Sequence, residues 1–417
     1  MRNRKKEKIA VALSGGVDSS VAAKILKDEG HELVGLFLKL WSDPKCTAKR
    51  RNYCDNSKAL ENARKVATGL KIPFYVINAE KEFKKEVVDY FLNEYKNLRT
   101  PNPCIVCNEK IKFDLLLKKA LSVGCSYLAT GHYARIKKNS NAQTPMLNQT
   151  LNSKSQKFEN YDIKKLNGNW NLKIGNSLLK GIDETKDQSY MLYRLNQYQL
   201  SEVLFPLGEM KKSEVRKLAA KWNLPAKERE ESQEICFIAD KDFRQFLKRY
   251  LDKKYFKAGD IVNIKGEVLG RHDGLLNYTI GQRKLVNQEL RIMNHEDKEP
   301  LYVVGFDIGR NRLIVGKDSE VYRKKMTVSD AHWIQSPEPR TQSPNLKLKI
   351  RYHHPEVACR IEFSRDGRTR LTRREPRRVK QSNNLQVVFG RKQRAITPGQ
   401  SAVFYLGNEV IGGGIIS

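Results

Sequence analysis

Acidic residues are scarce in this chain of 417 residues: Asp and Glu number 47 against 78 Lys and Arg, a formal net charge of +31. An imbalance of that size is unusual for an ordinary metabolic enzyme and favours a polyanionic partner, nucleic acid ahead of a merely solvated basic surface. Charge does not say which nucleic acid. Long apolar runs are missing as well, and none approaches the ~20 residues that span a bilayer. The opening MRNRKKEKIAVAL is basic and then apolar, but it runs straight into a Gly-rich loop without a cleavage pattern. It reads as a charged tail before a buried strand. Cysteines number seven, an odd count at irregular spacing, which argues against a secreted disulfide framework. The thiols are left for chemistry or metal binding in a reducing, cytoplasmic compartment. Neither G-x-x-x-x-G-K-[ST] nor G-x-G-x-x-G occurs, which excludes a kinase-type P-loop and the dinucleotide fingerprint. No repeat of roughly 20 to 50 residues is visible.

What is present has the rhythm of an α/β protein. Short apolar runs at Lys8 to Leu13, Val34 to Leu38, Phe74 to Ile77 and Tyr127 to Thr130 predict strands. Helical spacing predicts helices after Val21, over Asn56 to Leu70, Glu82 to Tyr95 and Glu109 to Val123. Such alternation implies right-handed crossovers and a doubly wound parallel sheet covered on both faces, with ligands at the carboxyl ends of its strands. Lys137 to about Asn171 changes to Asn, Lys, Gln and Ser and reads as a surface insertion without chemistry. Helices are expected again at Tyr190 to Leu204 and Ser213 to Trp222. Beyond Gly259, short strands punctuated by Gly, Pro and Asn suggest a small C-terminal β-barrel. The division expected is 1–212 for the α/β domain, 213–300 for a small central domain and 301–417 for the barrel.

Between the first strand and first helix lies Ser14-Gly15-Gly16-Val17-Asp18-Ser19-Ser20. Two glycines let the backbone turn sharply and leave amide N–H groups pointing outward. The hydroxyls of Ser14, Ser19 and Ser20 add donors, and the helix N-terminus adds positive potential. The loop therefore reads as a phosphate cradle. Asp18 sits awkwardly beside bare phosphate, so it either shares a Mg²⁺ ion or orients the loop. The string resembles the PP-loop of ATP pyrophosphatases (adenine nucleotide alpha hydrolase-like proteins), which split ATP between the α and β phosphates and leave an adenylated substrate. It gives the activation chemistry but not the acceptor.

Pro101-Asn102-Pro103-Cys104-Ile105-Val106-Cys107 places a C-x-x-C at a helix start, with Asn102 as its expected cap and Pro103 in the first turn. With Lys110 and Lys112 nearby, a cysteine there is expected to have a lowered pKa. Cys236 lies far off in Glu234-Ile235-Cys236-Phe237-Ile238. Cys125 and Cys359 read as packing residues, while Cys46 and Cys54 in a basic loop are open to either use.

Taken in order with Gly131-His132-Tyr133-Ala134-Arg135, Lys186-Asp187-Gln188-Ser189-Tyr190-Met191-Leu192 and Ile396-Thr397-Pro398-Gly399-Gln400, these strings resemble the tRNA-specific 2-thiouridylases, the MnmA/TrmU family. The resemblance covers nearly the whole chain apart from the insertion and a basic stretch near Arg365 to Arg394. It implies that Ala12, Leu13, Ser14, Gly15, Gly16, Val17, Asp18, Ser19, Ser20, Leu38 and Gly131 surround ATP with its Mg²⁺. It implies Cys107 as nucleophile and Cys236 as persulfide carrier, the two joining transiently in a disulfide. His132, Lys186, Asp187, Gln188, Arg351, Tyr352 and Gln400 match tRNA-touching positions. The expected partners are tRNAs of the Lys, Glu and Gln type and a persulfide donor, a cysteine desulfurase or sulfur-relay protein. Cys104 departs from the Asp that some members carry; with Cys107 and Cys236 it offers three thiols to a [4Fe-4S] cluster, the alternative to a two-thiol route. A PP-loop synthetase or amidotransferase acting on a small molecule is the competing function.

Overall fold

The computed structural model describes residues 6–46, 56–138, 175–225, 235–238, 242–283, 299–335, 340–363 and 384–417. Most of the Asn/Lys-rich insertion, Cys54 and residues 365–383 of the basic stretch lie outside these residues. The chain opens with strand β1 (Lys8–Ala12), helix α1 (Val17–Asp28), β2 (Glu32–Lys39), α2 (Asn56–Gly69) and β3 (Phe74–Asn78). Helix α3 follows, made of Glu80–Phe83, a π-helical turn Lys84–Val88 and Asp89–Lys96. Helix α4 is built the same way from Pro103–Val106, a π-helical Cys107–Leu116 and Leu117–Ser122. Next come β4 (Tyr127–Ala129), β5 (Ala134–Lys137), β6 (Ser177–Lys180), α5 (Gln197–Glu202), β7 (Val203–Leu204) and α6 (Lys212–Lys221).

Strands β3-β2-β1-β4-β7 form one parallel sheet in that order. Its residues alternate between two covers, as the period of a strand requires. Ile9, Val11, Leu33 and Phe37 pack with Ala23 and Leu26 of α1 and with Ala63 and Val66 of α2. Ala10, Val34 and Leu36 face Phe113, Leu116 and Leu117 of α4 instead. Burial on both sides explains why β1 reads as an unbroken apolar run. The doubly wound sheet inferred from sequence is thus the fold of this part.

Two local expectations differ from the structure. Helix α4 begins at Pro103, as the C-x-x-C string suggested and ahead of the Glu109 start read from apolar spacing, because Pro fits the first turn. Asn102 does not cap it through its side chain, whose Nδ2 reaches the sulfur of Met191 at 3.6 Å. The single helix expected over Tyr190 to Leu204 is a short 3₁₀ turn, Ser189–Leu192, then α5, then β7. Asn196 caps the second, its side chain accepting from the Gln199 amide at 2.9 Å.

Helix α7 (Phe243–Tyr250) leads into β8 (Gly259–Val262), β9 (Val268–His272), β10 (Tyr302–Asp307) and β11 (Arg312–Gly316), a four-stranded sheet of order β10-β11-β8-β9. That sheet runs across residue 300, where the sequence suggested a boundary. The remaining strands are β12 (Tyr322–Trp333), β13 (Leu346–Lys349), β14 (Val357–Phe363), β15 (Leu385–Arg394), β16 (Ser401–Leu406) and β17 (Glu409–Ile416). They pair in the order β12-β15-β14-β13-β16-β17 and close through β12 against β17, giving a six-stranded barrel. Sequence patterning did not show that the β5–β6 hairpin of the first domain extends this barrel by pairing with β17. Among the described residues no helix is long and apolar enough to cross a membrane.

Candidate active site

The chain winds outward from β1 through β2 to β3, then returns to the other side of β1 with β4 and β7, so the switch point falls between β1 and β4. Crevices form at such points beyond the strands' carboxyl ends. The sequence delivers Ser14–Ser20 after β1 and Gly131–His132 after β4, one on each lip. Gly15 has φ +69°, and a Cβ there would stand 2.1 Å from the carbonyl oxygen of Ala59. A side chain at Gly131 would meet the Ser19 amide nitrogen at 2.8 Å, so the second lip presses directly on the loop. Ser19 Oγ accepts from the Ser14 amide at 3.2 Å, and Ser20 Oγ donates to the Gly16 carbonyl at 2.8 Å. The loop is thereby tied in its turn. Leu38 lies near the end of β2, the strand adjoining β1.

Asp18 has partners within the protein that fit the loop-orienting reading. Its Oδ1 and Oδ2 accept from Lys212 Nζ at 2.6 and 2.8 Å, and Oδ1 also accepts from the Tyr133 hydroxyl at 2.7 Å. Sequence reasoning missed Lys212 altogether, because nothing local marks a lysine in the first turn of α6. It also passed over Tyr133, although Tyr133 lies inside the Gly131–Arg135 motif.

The thiol helix α4 packs on one face of the sheet and brings Lys112 to His132. Cys107 is buried and Cys104 exposed. The lowered pKa expected from the helix start and its lysines is reversed. Burial pushes the Cys107 thiol up to about 11, against a smaller opposing pull from Lys112 and a further push from Cys104. Cys104 is raised too, by the protein packed around its sulfur even though the residue keeps solvent contact. Lys110 pairs with Glu109 at 2.9 Å, so Lys112 is the lysine that acts on the thiols. The π-helical bonding of Cys107–Leu116 joins residues five apart, which brings Lys112 round to the face of Cys107. Lys112 Nζ also stands 3.5 Å from His132 Nε2, while His132 Nδ1 lies 2.7 Å from Thr130 Oγ1. With an ammonium facing Nε2, the network assigns the proton to Nδ1 and leaves the ring neutral. Burial and then Lys112 hold its pKa well below the usual histidine range.

Cys236 is exposed on a turn closed by the Ile238 amide donating to the Ile235 carbonyl at 3.0 Å. Its neighbour Phe237 is buried against Phe83, Phe91 and Phe246, in the apolar cluster that also holds Cys107. No disulfide joins Cys107 to Cys236. Among the described residues no group of three or more His, Cys, Asp or Glu side chains could hold a metal ion. Cys104, Cys107 and Cys236 are therefore not gathered as the ligand set that an iron–sulfur cluster requires, and that alternative does not fit this arrangement.

The motifs interlock. Gln188 accepts from the Tyr133 amide through Oε1 at 3.0 Å, and its own amide donates to the Tyr133 carbonyl at 2.9 Å. Buried Asp187 accepts from the amides of Gly181 and Ser189, each at 3.0 Å, and from Ser189 Oγ at 2.9 Å. Tyr190 OH donates to the Ser401 carbonyl at 2.8 Å. Gln400 Nε2 donates to the Thr100 carbonyl at 2.9 Å, and the Thr100 amide donates to the Pro398 carbonyl at 2.8 Å, so the barrel grips the entry to the thiol helix. Arg351 donates to the carbonyls of Arg394 and Ala395, just before Ile396. The Tyr352 ring lies tilted against Tyr190, with centroids 6.0 Å apart, and against His353 at 4.4 Å. Of the residues matched to tRNA-touching positions, His132, Asp187, Gln188, Arg351 and Gln400 thus have polar atoms engaged within the protein, while Lys186 is only partly buried.

Comparison with known proteins agrees with this three-part build. Residues 7–240 match the family model described as tRNA methyl transferase HUP domain. Residues 244–317 match the tRNA methyl transferase PRC-barrel domain, and 323–379 with 374–416 the aminomethyltransferase beta-barrel domain. A relative from Geotalea uraniireducens, named tRNA-specific 2-thiouridylase MnmA, is 40% identical over 419 residues, covering 100% of this chain and 96% of the relative. One of the same name from Carboxydothermus hydrogenoformans is 40% identical over 416 residues, covering 99% and 98%. Among solved structures, an NMN synthetase from Francisella tularensis is similar over 54% of this chain and 66% of its own, at 12% identity and a TM-score of 0.29. With full-length relatives at this identity and family models along the whole chain, the protein belongs to the tRNA-specific 2-thiouridylase (MnmA) family.

Proposed function

We propose that this chain uses ATP to activate the wobble uridine (position 34) of tRNA and replaces its 2-oxygen with sulfur, giving 2-thiouridine. The observation that carries the reading is that Gly131 presses on the Ser14–Ser20 loop while Lys112, the lysine acting on Cys107, stands 3.5 Å from the adjoining His132. The relatives' name, tRNA-specific 2-thiouridylase, supports it, and so does the charge of +31. A PP-loop synthetase acting on a small molecule leaves that charge and the second cysteine without a task.

In this mechanism the loop amides and the α1 N-terminus hold the ATP phosphates, which enter with their Mg²⁺. The uracil 2-oxygen attacks the α-phosphorus; the new O–P bond forms as the Pα–O–Pβ bridge breaks, and pyrophosphate leaves. Cys236 carries a persulfide delivered by a cysteine desulfurase or a relay protein. Its outer sulfur attacks C2, and AMP departs with the former uracil oxygen. Cys107, once deprotonated, attacks Cys236 Sγ; the S–S electron pair leaves on the 2-thiouridine sulfur and a Cys107–Cys236 disulfide remains. If Cys107 attacks first, it frees hydrosulfide that adds to C2, and the same disulfide results. An external thiol reductant supplies the two electrons that reset it.

Lys112 lowers the cost of the Cys107 thiolate in a buried setting. Lys186 and the basic surface neutralise tRNA phosphates, so binding weakens steeply with salt. His132, Asp187, Gln188, Arg351, Tyr352 and Gln400 shape and stiffen the pocket for an extruded base. The proposed substrates are tRNAs of the Lys, Glu and Gln type.

The test is thiolation of unmodified tRNA transcripts with ATP, Mg²⁺ and a persulfide source, scored as 2-thiouridine by mass spectrometry. Thiolated wobble uridine that vanishes in both Cys107→Ser and Cys236→Ser is the expected result. Protein that binds ATP and tRNA yet yields no thiouridine under these conditions overturns the reading.

A further inference from the structure

Lys212 is the one lysine of α6 drawn into the interior, with its side chain only 10% exposed. Two anchors hold it there. Its backbone amide, at the start of α6, donates to Asp183 Oδ2 at 2.8 Å. Its ammonium crosses to the first turn of α1, where it donates to both oxygens of Asp18 and stands 5.6 Å from the centroid of the Tyr133 ring. Asp18 itself is pressed by Gly131, where an added Cβ would lie 2.9 Å from the Asp18 Cβ. The carboxylate therefore occupies a fixed place in the same loop that must receive a polyphosphate.

A negative charge fixed in a phosphate cradle opposes the ligand unless it is neutralised in place, because like charges a few Å apart repel, even at a side chain that is one-third exposed like that of Asp18. Here both oxygens of Asp18 are taken by an ammonium from another helix, and one is taken again by a phenol.

We propose that Lys212 is the built-in counter-charge of the phosphate loop, cancelling Asp18 so that the ATP phosphates can enter. It acts as a positioning residue, holding Asp18 and the first turn of α1 in the shape the loop amides need. This inference rests on the reading of Ser14–Ser20 as an ATP site, and it requires neither tRNA nor sulfur for its test.

The experiment is equilibrium titration of the full-length protein with Mg·ATP, without tRNA, for wild type, Lys212→Met, Lys212→Arg, Asp18→Asn and the Asp18→Asn/Lys212→Met double variant. Lys212→Met leaves Asp18 uncompensated and is expected to weaken ATP binding at least tenfold. The double variant, with a neutral pair, is expected to regain most of that loss, and Lys212→Arg to stay within about threefold of wild type. Thermal midpoints recorded beside each titration identify variants that merely unfold, and the double variant keeps the test open if Lys212→Met does so. Affinity of Lys212→Met within threefold of wild type overturns the proposal. So does a double variant weaker than Lys212→Met alone, which would make Asp18 a metal ligand. Failure of the wild type to bind ATP would instead remove the ATP reading on which the proposal stands.

Discussion

Asp43 offers the sharpest test of how the segment bearing Cys236 is held. Its carboxylate is fully buried and accepts from Arg249 Nη2 at 2.5 Å and Nε at 3.1 Å, from the Lys45 amide at 2.9 Å and from the Tyr250 hydroxyl. Trp41 adds edge contacts to Phe246 at 6.3 Å and to Tyr250 at 5.9 Å, so the loop after β2 is clasped to α7. Through Phe246 the clasp reaches Phe237, the neighbour of Cys236. Removing one partner of a buried ion pair costs ~3–5 kcal/mol, and since Arg249 is 22% exposed we take the lower end, ~3 kcal/mol. At 1.4 kcal/mol per decade, Asp43→Ala should speed local opening about 100-fold. Hydrogen exchange of peptides spanning 242–251 reads this directly. Tyr250→Phe, which loses one hydrogen bond worth ~1 kcal/mol, should give about fivefold. Asp43→Leu with Arg249→Met should return toward wild type, because no charge is then left buried alone. Less than a threefold change in Asp43→Ala, or a double variant no better than the single, would refute the clasp.

Other consequences follow from the site. Gly15→Ala forces a side chain onto φ +69° and into the Ala59 carbonyl; left-handed backbone alone costs ~1–2 kcal/mol, so ATP titration should show at least tenfold weaker binding. With its thiol pushed up to about 11, Cys107 is ionised to only about one part in a thousand at pH 8. Its alkylation should therefore rise about tenfold per pH unit from 7 to 10, and Lys112→Met should slow it several-fold further at fixed pH. Burial lowers the pKa of His132, His272, His332 and His354. The unfolded chain then binds protons near pH 6.5 that the folded protein refuses, so stability present above about 6.5 is lost as pH falls toward 5. Denaturant midpoints across that range check the sign, and His132→Gln should flatten part of the slope.

The strands and the phosphate loop were legible because their signals are local. An apolar run, two glycines and a serine-rich helix start specify them within a few residues. The barrel strands were legible for the same reason, but the β5–β6 hairpin that extends the barrel depends on a pairing more than two hundred residues away. Lys212, Asp43 and Arg249 escaped notice because a buried ion pair leaves no local trace, and each partner alone looks like a surface charge. The state of Cys107 went the opposite way from its sequence signal. Helix position and lysine content are visible in a string, whereas the burial that dominates its pKa comes from Phe91, Ile111, Phe237 and their neighbours. Asn102 shows the same limit, since a capping residue in sequence became a contact to Met191 once the 3₁₀ turn packed beside it.

One measurement reaches the proposed chemistry most directly: the fate of the oxygen that sulfur replaces. A tRNA transcript carrying oxygen-18 at the 2-position of the wobble uridine is turned over once with ATP and a persulfide source, and the AMP is analysed by mass spectrometry. If the uracil oxygen attacks the α-phosphorus, each 2-thiouridine formed should be matched by one AMP bearing the heavy oxygen. Thiouridine accompanied by unlabelled AMP, or by ADP, would contradict adenylation of the base.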